Sequence, residues 1–249
     1  MKVTNNRSRC PRSAWIGLHL TIFLLLPSFS SDAGVDTGSS MEFLQAWLAH
    51  QAEIRTWSAD VVQIRNLQSL VRPLKSRGQV WFLQPNRFRW QLGDPPRTIA
   101  VRKDDELLII YPRLKQIERF AAGNDIDPAW KQVLALLEAG FPSDADTFFA
   151  RYEIISTARF KRSWRFDLRP VVEEARRLLD RVTLEVSTLD FALLKTELAF
   201  PDGSTMTNRF VNRRLNPALD DDLFDFKIGE DYTVVNPLQK KTDATGSAR

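Results

Sequence analysis

Two histidines and one cysteine limit what chemistry this chain can carry. His19 and Cys10 fall within a leader described below, which leaves His50 as the only imidazole of the remaining chain. A zinc or other His/Cys site needs three or four such ligands at short spacing, so none can be assembled. A Ser-His-Asp triad would have to use His50 itself, and no G-x-S-x-G elbow accompanies it. His50 is expected at the surface or rim of a helix. The carboxylate candidates are Asp220-Asp221-Asp222, Asp104-Asp105 and Glu173-Glu174. A hydrolytic pair must face across a cleft at roughly 5 to 9.5 Å, whereas adjacent acids in turns accept local hydrogen bonds. The Asp run lacks the alternating spacing and distal Glu of a calcium loop, and no Walker or Rossmann glycine pattern is present. These residues predict a protein that is not an enzyme and holds no metal or cofactor.

Aromatic supply is what stands out: seven Trp and sixteen Phe against three Tyr. Trp and Phe bring large apolar area with little demand for hydrogen bonds. They can fill an ordinary core or line a cavity for an acyl chain, and composition does not separate the two.

The leader occupies residues 1–33. Lys2, Arg7, Arg9 and Arg12 precede an apolar run of 12 residues, Trp15 to Leu26, and the small residues Ser28, Ser30, Ser31 and Ala33 follow. That order describes a secretory signal peptide, cleaved after Ser30 or after Ala33. The run is short of the roughly 20 apolar residues that a spanning helix needs. Cys10 lies ahead of the apolar run, where it cannot be the acylated cysteine of a lipoprotein, and it leaves with the leader. The chain that remains is cysteine-free and carries 31 basic against 30 acidic residues, a net of +1. No basic excess remains to bind a phosphate backbone, so nucleic acid is not an expected partner. Residues 34–239 are expected to form one domain, with a disordered polar tail at 240–249.

No repeat of 20 to 50 residues is visible. Ser39 and Glu42 are spaced as a capping box, and Phe43, Leu44, Trp47, Leu48 and Ile54 follow at helical spacing. From Trp57 the period changes to two. Short β-rich stretches over 57–65, 77–83, 87–92, 97–103, 106–111 and 116–120 are separated by turn formers such as Gln84-Pro85-Asn86 and Gly93-Asp94-Pro95-Pro96. Such close spacing predicts an antiparallel meander. In Arg87–Leu92, Phe88, Trp90 and Leu92 share one face. A helix is predicted after Asp127-Pro128, with Trp130, Val133, Leu134 and Leu137 as its apolar stripe, followed by a short turn from Asp144 to Ala150. Strands resume at 152–156, 163–168, 181–187, 192–200 and 205–213, and Pro201-Asp202-Gly203-Ser204 is a clear hairpin turn. Pro170–Leu179 reads equally as a short helix or a loop insertion. The fold class is α+β: an incomplete, unclosed antiparallel β-barrel of ten or eleven strands, its concave face covered by helices.

The segment Gly78-Gln79-Val80-Trp81-Phe82-Leu83-Gln84-Pro85-Asn86-Arg87-Phe88-Arg89-Trp90 resembles the signature of the LolA family of periplasmic lipoprotein carriers. The resemblance continues through Asp104-Asp105, Tyr111-Pro112, Gln116, Asp202-Gly203-Ser204 and Leu223-Phe224-Asp225-Phe226, covering about Met41 to Asn236. It implies a half-barrel that shelters the acyl chains of lipoproteins across the periplasm. Its implied partners are acylated lipoprotein or lipid cargo, an inner-membrane ABC transporter that loads it and an outer-membrane receptor that unloads it. A monomer is expected. Three positions depart from the pattern: Gln84 stands where the family carries an Arg that helps hold the cover closed, Asp105 replaces a Gly, and Tyr111-Pro112 is shortened. Strand parity and the family pattern together make Phe88, Trp90, Trp57 and Val61 candidates for the acyl-binding inner face. Gln84 is the candidate rim residue, and Trp130, Val133, Leu134 and Leu137 are the candidate cover. A sensor with the same half-barrel would carry a second domain, for which this length leaves no room, and a receptor would need an acylated Cys after the leader. A carrier or sensor of another lipid or glycolipid and a non-transporting scaffold are the alternatives.

Overall fold

The computed structural model describes residues 37–103, 106–121, 142 and 144–235. It opens with helix α1 (Thr37–Ala52), followed by β1 (Thr56–Asn66), β2 (Leu74–Leu83), β3 (Arg87–Leu92), β4 (Thr98–Lys103), β5 (Glu106–Tyr111) and β6 (Gln116–Ala121). Helix α2 (Ala145–Arg151) leads into β7 (Tyr152–Arg159) and β8 (Ser163–Pro170). A short helix α3 (Glu173–Arg176), then β9 (Arg181–Ser187), β10 (Leu193–Ala199), β11 (Thr205–Leu215) and β12 (Thr233–Val235) complete the described chain. The strands make one open sheet in the order β12-β6-β5-β4-β3-β2-β1-β11-β10-β9-β8-β7.

Two antiparallel meanders, β1–β6 and β7–β11, are therefore joined edge to edge by the pairing of β1 with β11. The unclosed α+β half-barrel expected from the strand pattern is the architecture present. One strand exceeds the expected ten or eleven: β12, three exposed residues that pair parallel to β6. Its anchor is local, since Thr233 N–H donates to Lys115 O (2.8 Å) and Lys115 pairs with Asp231 (2.9 Å). Helix α1 begins two residues ahead of Ser39, so Ser39 and Glu42 lie inside it and the expected capping box is not its terminus. Packing of the first turns, where Ser40 is buried, outweighs the local cap signal. The ambiguous Pro170–Leu179 segment contains the single helical turn α3. Asp144 caps α2, its Oδ1 accepting from Thr147 N–H at 2.7 Å. The helix predicted after Asp127, the Asp104-Asp105 turn and the 240–249 tail lie outside the described residues.

Burial explains why the strands differ in pattern. β3 alternates because only its inner side is deeply packed. β4 and β5 carry nearly continuous apolar runs because both their faces are covered. On the outer side, Ile99, Val101, Leu108, Ile110 and Ile117 form a second core against Phe226 and Tyr232. Phe224 is buried there, Arg89 Nη1 donates to Leu223 O (3.2 Å), and Lys103 pairs with Asp225. The Leu223–Phe226 motif thus straps the outer face of β3–β5.

Gly78 lies at a close approach of β2 and β3: a Cβ built there would sit 1.8 Å from Gln91 O. Any side chain must force the two backbones apart. Gly78→Ala is expected to destabilise the fold by more than about 2 kcal/mol, read as a lower midpoint in urea unfolding. A midpoint equal to the wild type would mean that this approach is not needed.

Candidate lipid-binding face

The inner face is built from cross-strand rows. Ala59, Val80, Trp90, Ala100 and Ile109 stand directly opposite one another across β1 to β5. A neighbouring row runs Trp57, Phe82, Phe88, Arg102, Leu107 and Phe120 from β1 to β6. Phe88, Trp90, Trp57 and Val61 are all on this face, exposed by only 2, 5, 1 and 1%. Three of them converge on Phe210 of β11, whose ring lies 5.2 Å from Trp57 and 6.2 Å from Trp90, both edge-on, and which is the cross-strand partner of Val61. Edge-on ring pairs of this kind add about 0.5–1.5 kcal/mol beyond the area they bury.

Helix α1 covers the far side of the same core. Leu44, Trp47 and Leu48 are buried in it, while Phe43 packs on Phe191 (5.3 Å), Trp164 (6.2 Å) and Phe166 (6.3 Å). Trp47 meets Phe148 of α2 edge-on at 6.3 Å. Gln84 sits half-buried at the β2–β3 turn, where its N–H donates to Arg55 O (2.9 Å). The expected cover residues Trp130, Val133, Leu134 and Leu137 lie outside the described residues.

The face is not uniformly apolar. Gln63 Nε2 donates to Asn208 Oδ1 (3.1 Å), and Asn208 Nδ2 donates to Thr196 Oγ1 (3.3 Å). All three side chains are buried, which puts a polar ladder across β1, β11 and β10 inside the core. Neither this ladder nor Phe210 was among the sequence candidates. The alternation Met206, Asn208, Phe210 carries the signal, but Asn208 interrupts it with a residue that reads as outward-facing. Two nitrogens on α1, Trp47 Nε1 and His50 Nε2, are buried with no hydrogen-bond partner among the described residues, and the His50 ring lies 5.5 Å from Phe191. Leaving such a group unpaired costs about 1–3 kcal/mol.

The acids behave as structural acceptors. Hydrogen bonds from Asn212 (2.6 Å) and Gln79 (3.1 Å) hold the Asp60 carboxyl below its usual range. These groups line an outer-face depression of about 500 Å³ together with Trp81 and Arg214. Glu153 is lowered chiefly by its hydrogen bond from Arg169. Asp221 makes a loose contact to Arg87 (3.4 Å), and Glu173 pairs with Arg177 one helical turn on (3.3 Å). Asp167, on the outer side of β8, is the most displaced. Burial alone would raise its pKa, but donation from Arg165, Ser156 and Thr183, with the Arg165 charge, brings it down to about 2.

The sequence profile described as outer membrane lipoprotein carrier protein LolA matches residues 52–227. The chain belongs to the LolA family. No curated protein sequence matches it. Among solved structures it is similar to an uncharacterized conserved protein from Thermus thermophilus, at 13% identity over 80% of this chain and 99% of that one, with a TM-score of 0.47. A LolA superfamily protein from Nitrosomonas europaea is 14% identical over 73% of this chain and 97% of its own, with a TM-score of 0.38. The Pseudomonas aeruginosa MucA/MucB complex matches at 17% identity over 79% of this chain and 63% of that chain, with a TM-score of 0.42. The profile match spans the whole inner-face row, from β1 through β11, and the outer strap at Leu223–Phe226.

The Asp167 cluster makes a pH-dependent contribution of known sign. A carboxyl held at about 2 in the fold, against about 3.9 when unfolded, stabilises fully above pH ~4. That contribution is lost as the pH falls from about 4 through about 2. The stability gap between wild type and Asp167→Asn is therefore expected to narrow over that window in denaturant titrations. A gap that stays constant with pH would show that the carboxylate is not held ionised.

Proposed function

We propose that this chain is a periplasmic carrier that shelters the acyl chains of lipoproteins against the inner face of its sheet and moves them from the inner to the outer membrane. The observation that carries the reading is the aromatic convergence of Trp57 and Trp90 on Phe210, within the same core as Phe88, in a chain of the LolA family. Burying an acyl chain is worth about 0.8 kcal/mol per CH₂, so cargo of this kind needs an escort in water. In the structure the face is filled by the protein's own side chains, so cargo enters by displacing apolar cover such as Leu44, Trp47 and Leu48 of α1. A carbonyl of the cargo near α1 would supply the acceptor that Trp47 Nε1 lacks. An inner-membrane ABC transporter would load the carrier and an outer-membrane receptor would relieve it. The leader at 1–33 would deliver it to the periplasm, with residues 34–239 as the carrier domain and 240–249 as its tail.

A second reading is favoured by the Gln63–Asn208–Thr196 ladder: a carrier or sensor of another lipid or glycolipid, whose polar groups meet these amides. Gln84, in place of the family Arg, supports it, because a neutral amide has fewer donors and no charge with which to hold the cover.

The test uses the native tryptophans. A brominated fatty acid that enters the inner face is expected to quench tryptophan fluorescence saturably, and less so in Trp57→Phe and Trp90→Phe. Trp81, on the outer side of β2, should be unaffected. Phe88→Glu places a charge in the same space and is expected to abolish quenching. Because Phe88 is buried, its unfolding midpoint is measured alongside, and Phe88→Ala serves if the Glu variant does not fold. Unchanged quenching in the folded variants, or none in the wild type, would overturn acyl binding and leave a scaffold whose face is permanently filled.

A further inference from the structure

Strands β1 and β2 are joined by a turn, Leu67 to Pro73, that is anchored at its base and unsupported at its tip. Gln68 N–H donates to Ser204 Oγ (3.2 Å), Asn66 Nδ2 donates to Thr205 Oγ1 (2.9 Å), and Leu70 N–H returns to Leu67 O (3.0 Å). The Gln68 amide rests on Gly203, where an added Cβ would lie 2.5 Å from its Nε2. The neighbouring β10–β11 hairpin therefore holds the turn in place. What the turn presents is apolar: Val71 is fully exposed at 101%, with Leu70 at 44% and Leu74 at 46%.

On the strand ends that carry this turn the charge has one sign, and the acid beside its base, Asp202 of the neighbouring hairpin, is engaged by Ser204 (2.8 and 2.9 Å). Arg65, Arg72, Lys75 and Arg77 are exposed, and none of them takes part in an ion pair among the described residues. The sequence holds no Asp or Glu from 61 to 93. One exposed Val or Leu would need no explanation, but two on the turn and a third at the start of β2, inside a cationic collar, do. An anionic bilayer satisfies both parts: apolar side chains enter the boundary between headgroups and acyl chains, and the cations meet lipid phosphates. A second copy of the chain fits less well, because its collar would repel this one.

We propose that the Leu67–Pro73 turn is a membrane-docking element that seats in the surface of an anionic phospholipid bilayer. This docking does not depend on what the inner face carries.

The experiment is co-sedimentation of the protein with vesicles of phosphatidylglycerol and phosphatidylethanolamine, against vesicles of phosphatidylcholine alone. Binding is expected to the anionic vesicles only, and to weaken with added salt. The double variant Leu70→Asp/Val71→Asp is expected to lose it. Arg72→Gln and Lys75→Gln should each weaken it by roughly fivefold, while Val71→Trp strengthens it. All these sites are exposed, so unfolding midpoints should not move. Phe160, exposed beside Arg159, Lys161 and Arg162 at the opposite end of the strands, is the control, and Phe160→Asp should bind as the wild type does. Equal binding by the double variant, or loss on Phe160→Asp instead, would overturn the proposal. Salt-independent binding to both kinds of vesicle would overturn it as well. Self-association lost in the double variant without any vesicle binding would assign the turn to a second copy and also overturn it. Acyl-chain quenching should be unchanged in the double variant, so the two proposals fail separately.

Discussion

The pairing of β1 with β11 is the seam on which the molecule depends. Each meander alone is a curved sheet with one apolar side and nothing to close against. Joined through the register from Trp57↔Leu215 to Asn66↔Thr205, they share one inner face, and the side chains along that seam hold it. Trp57 and Val61 on β1 meet Phe210 on β11, and Gln63 meets Asn208 one step further along. A one-residue slip would turn this whole set outward. The bulge between Ser58 and Asp60 absorbs a misfit in the ladder, and Asp60 spans it by accepting from Gln79 on β2 and Asn212 on β11.

The two faces of the sheet are covered by chain from opposite ends. Helix α1 supplies Phe43, Leu44, Trp47 and Leu48 to the inner side. The segment after β11 supplies Phe224, Phe226 and Tyr232 to the outer side of β4–β6. The two covers differ in character. The outer strap is pinned by polar contacts, Arg89 to Leu223 O and Lys103 to Asp225. The inner helix is held in the main by apolar packing, with two ring nitrogens left unpaired. A cover held chiefly by packing can be exchanged for another apolar group at lower cost than one pinned by charge-assisted hydrogen bonds.

Strand positions were legible in the sequence because period-two alternation and turn formers are local signals. β12 was not, since Thr233–Val235 is exposed and gains strand character only by lying beside β6. The inner-face parity of Phe88, Trp90, Trp57 and Val61 could be read from alternation within each strand. Phe210 could not be seen as their meeting point, because that depends on pairing strands far apart in sequence. Asn208 shows the limit most clearly: an amide in a strand reads as solvent-facing, yet here it is fully buried because Gln63 and Thr196 satisfy it. The start of α1 was misplaced for the converse reason, since a good local cap at Ser39 gave way to burial of the turn that contains it.

The seam also sets a clock. β1 is the first strand among the described residues and one of the innermost of the sheet, and its partner across the seam arrives late; Asn66 and Thr205, bonded side by side, are 139 residues apart. Contacts at such separation form slowly, because a long loop must close before they return any stability. Until the residues of β11 are present, Trp57 and Val61 have no Phe210 to meet. Strand order thus leaves the inner face of the N-terminal meander without its closing partner until the last long strand has been made.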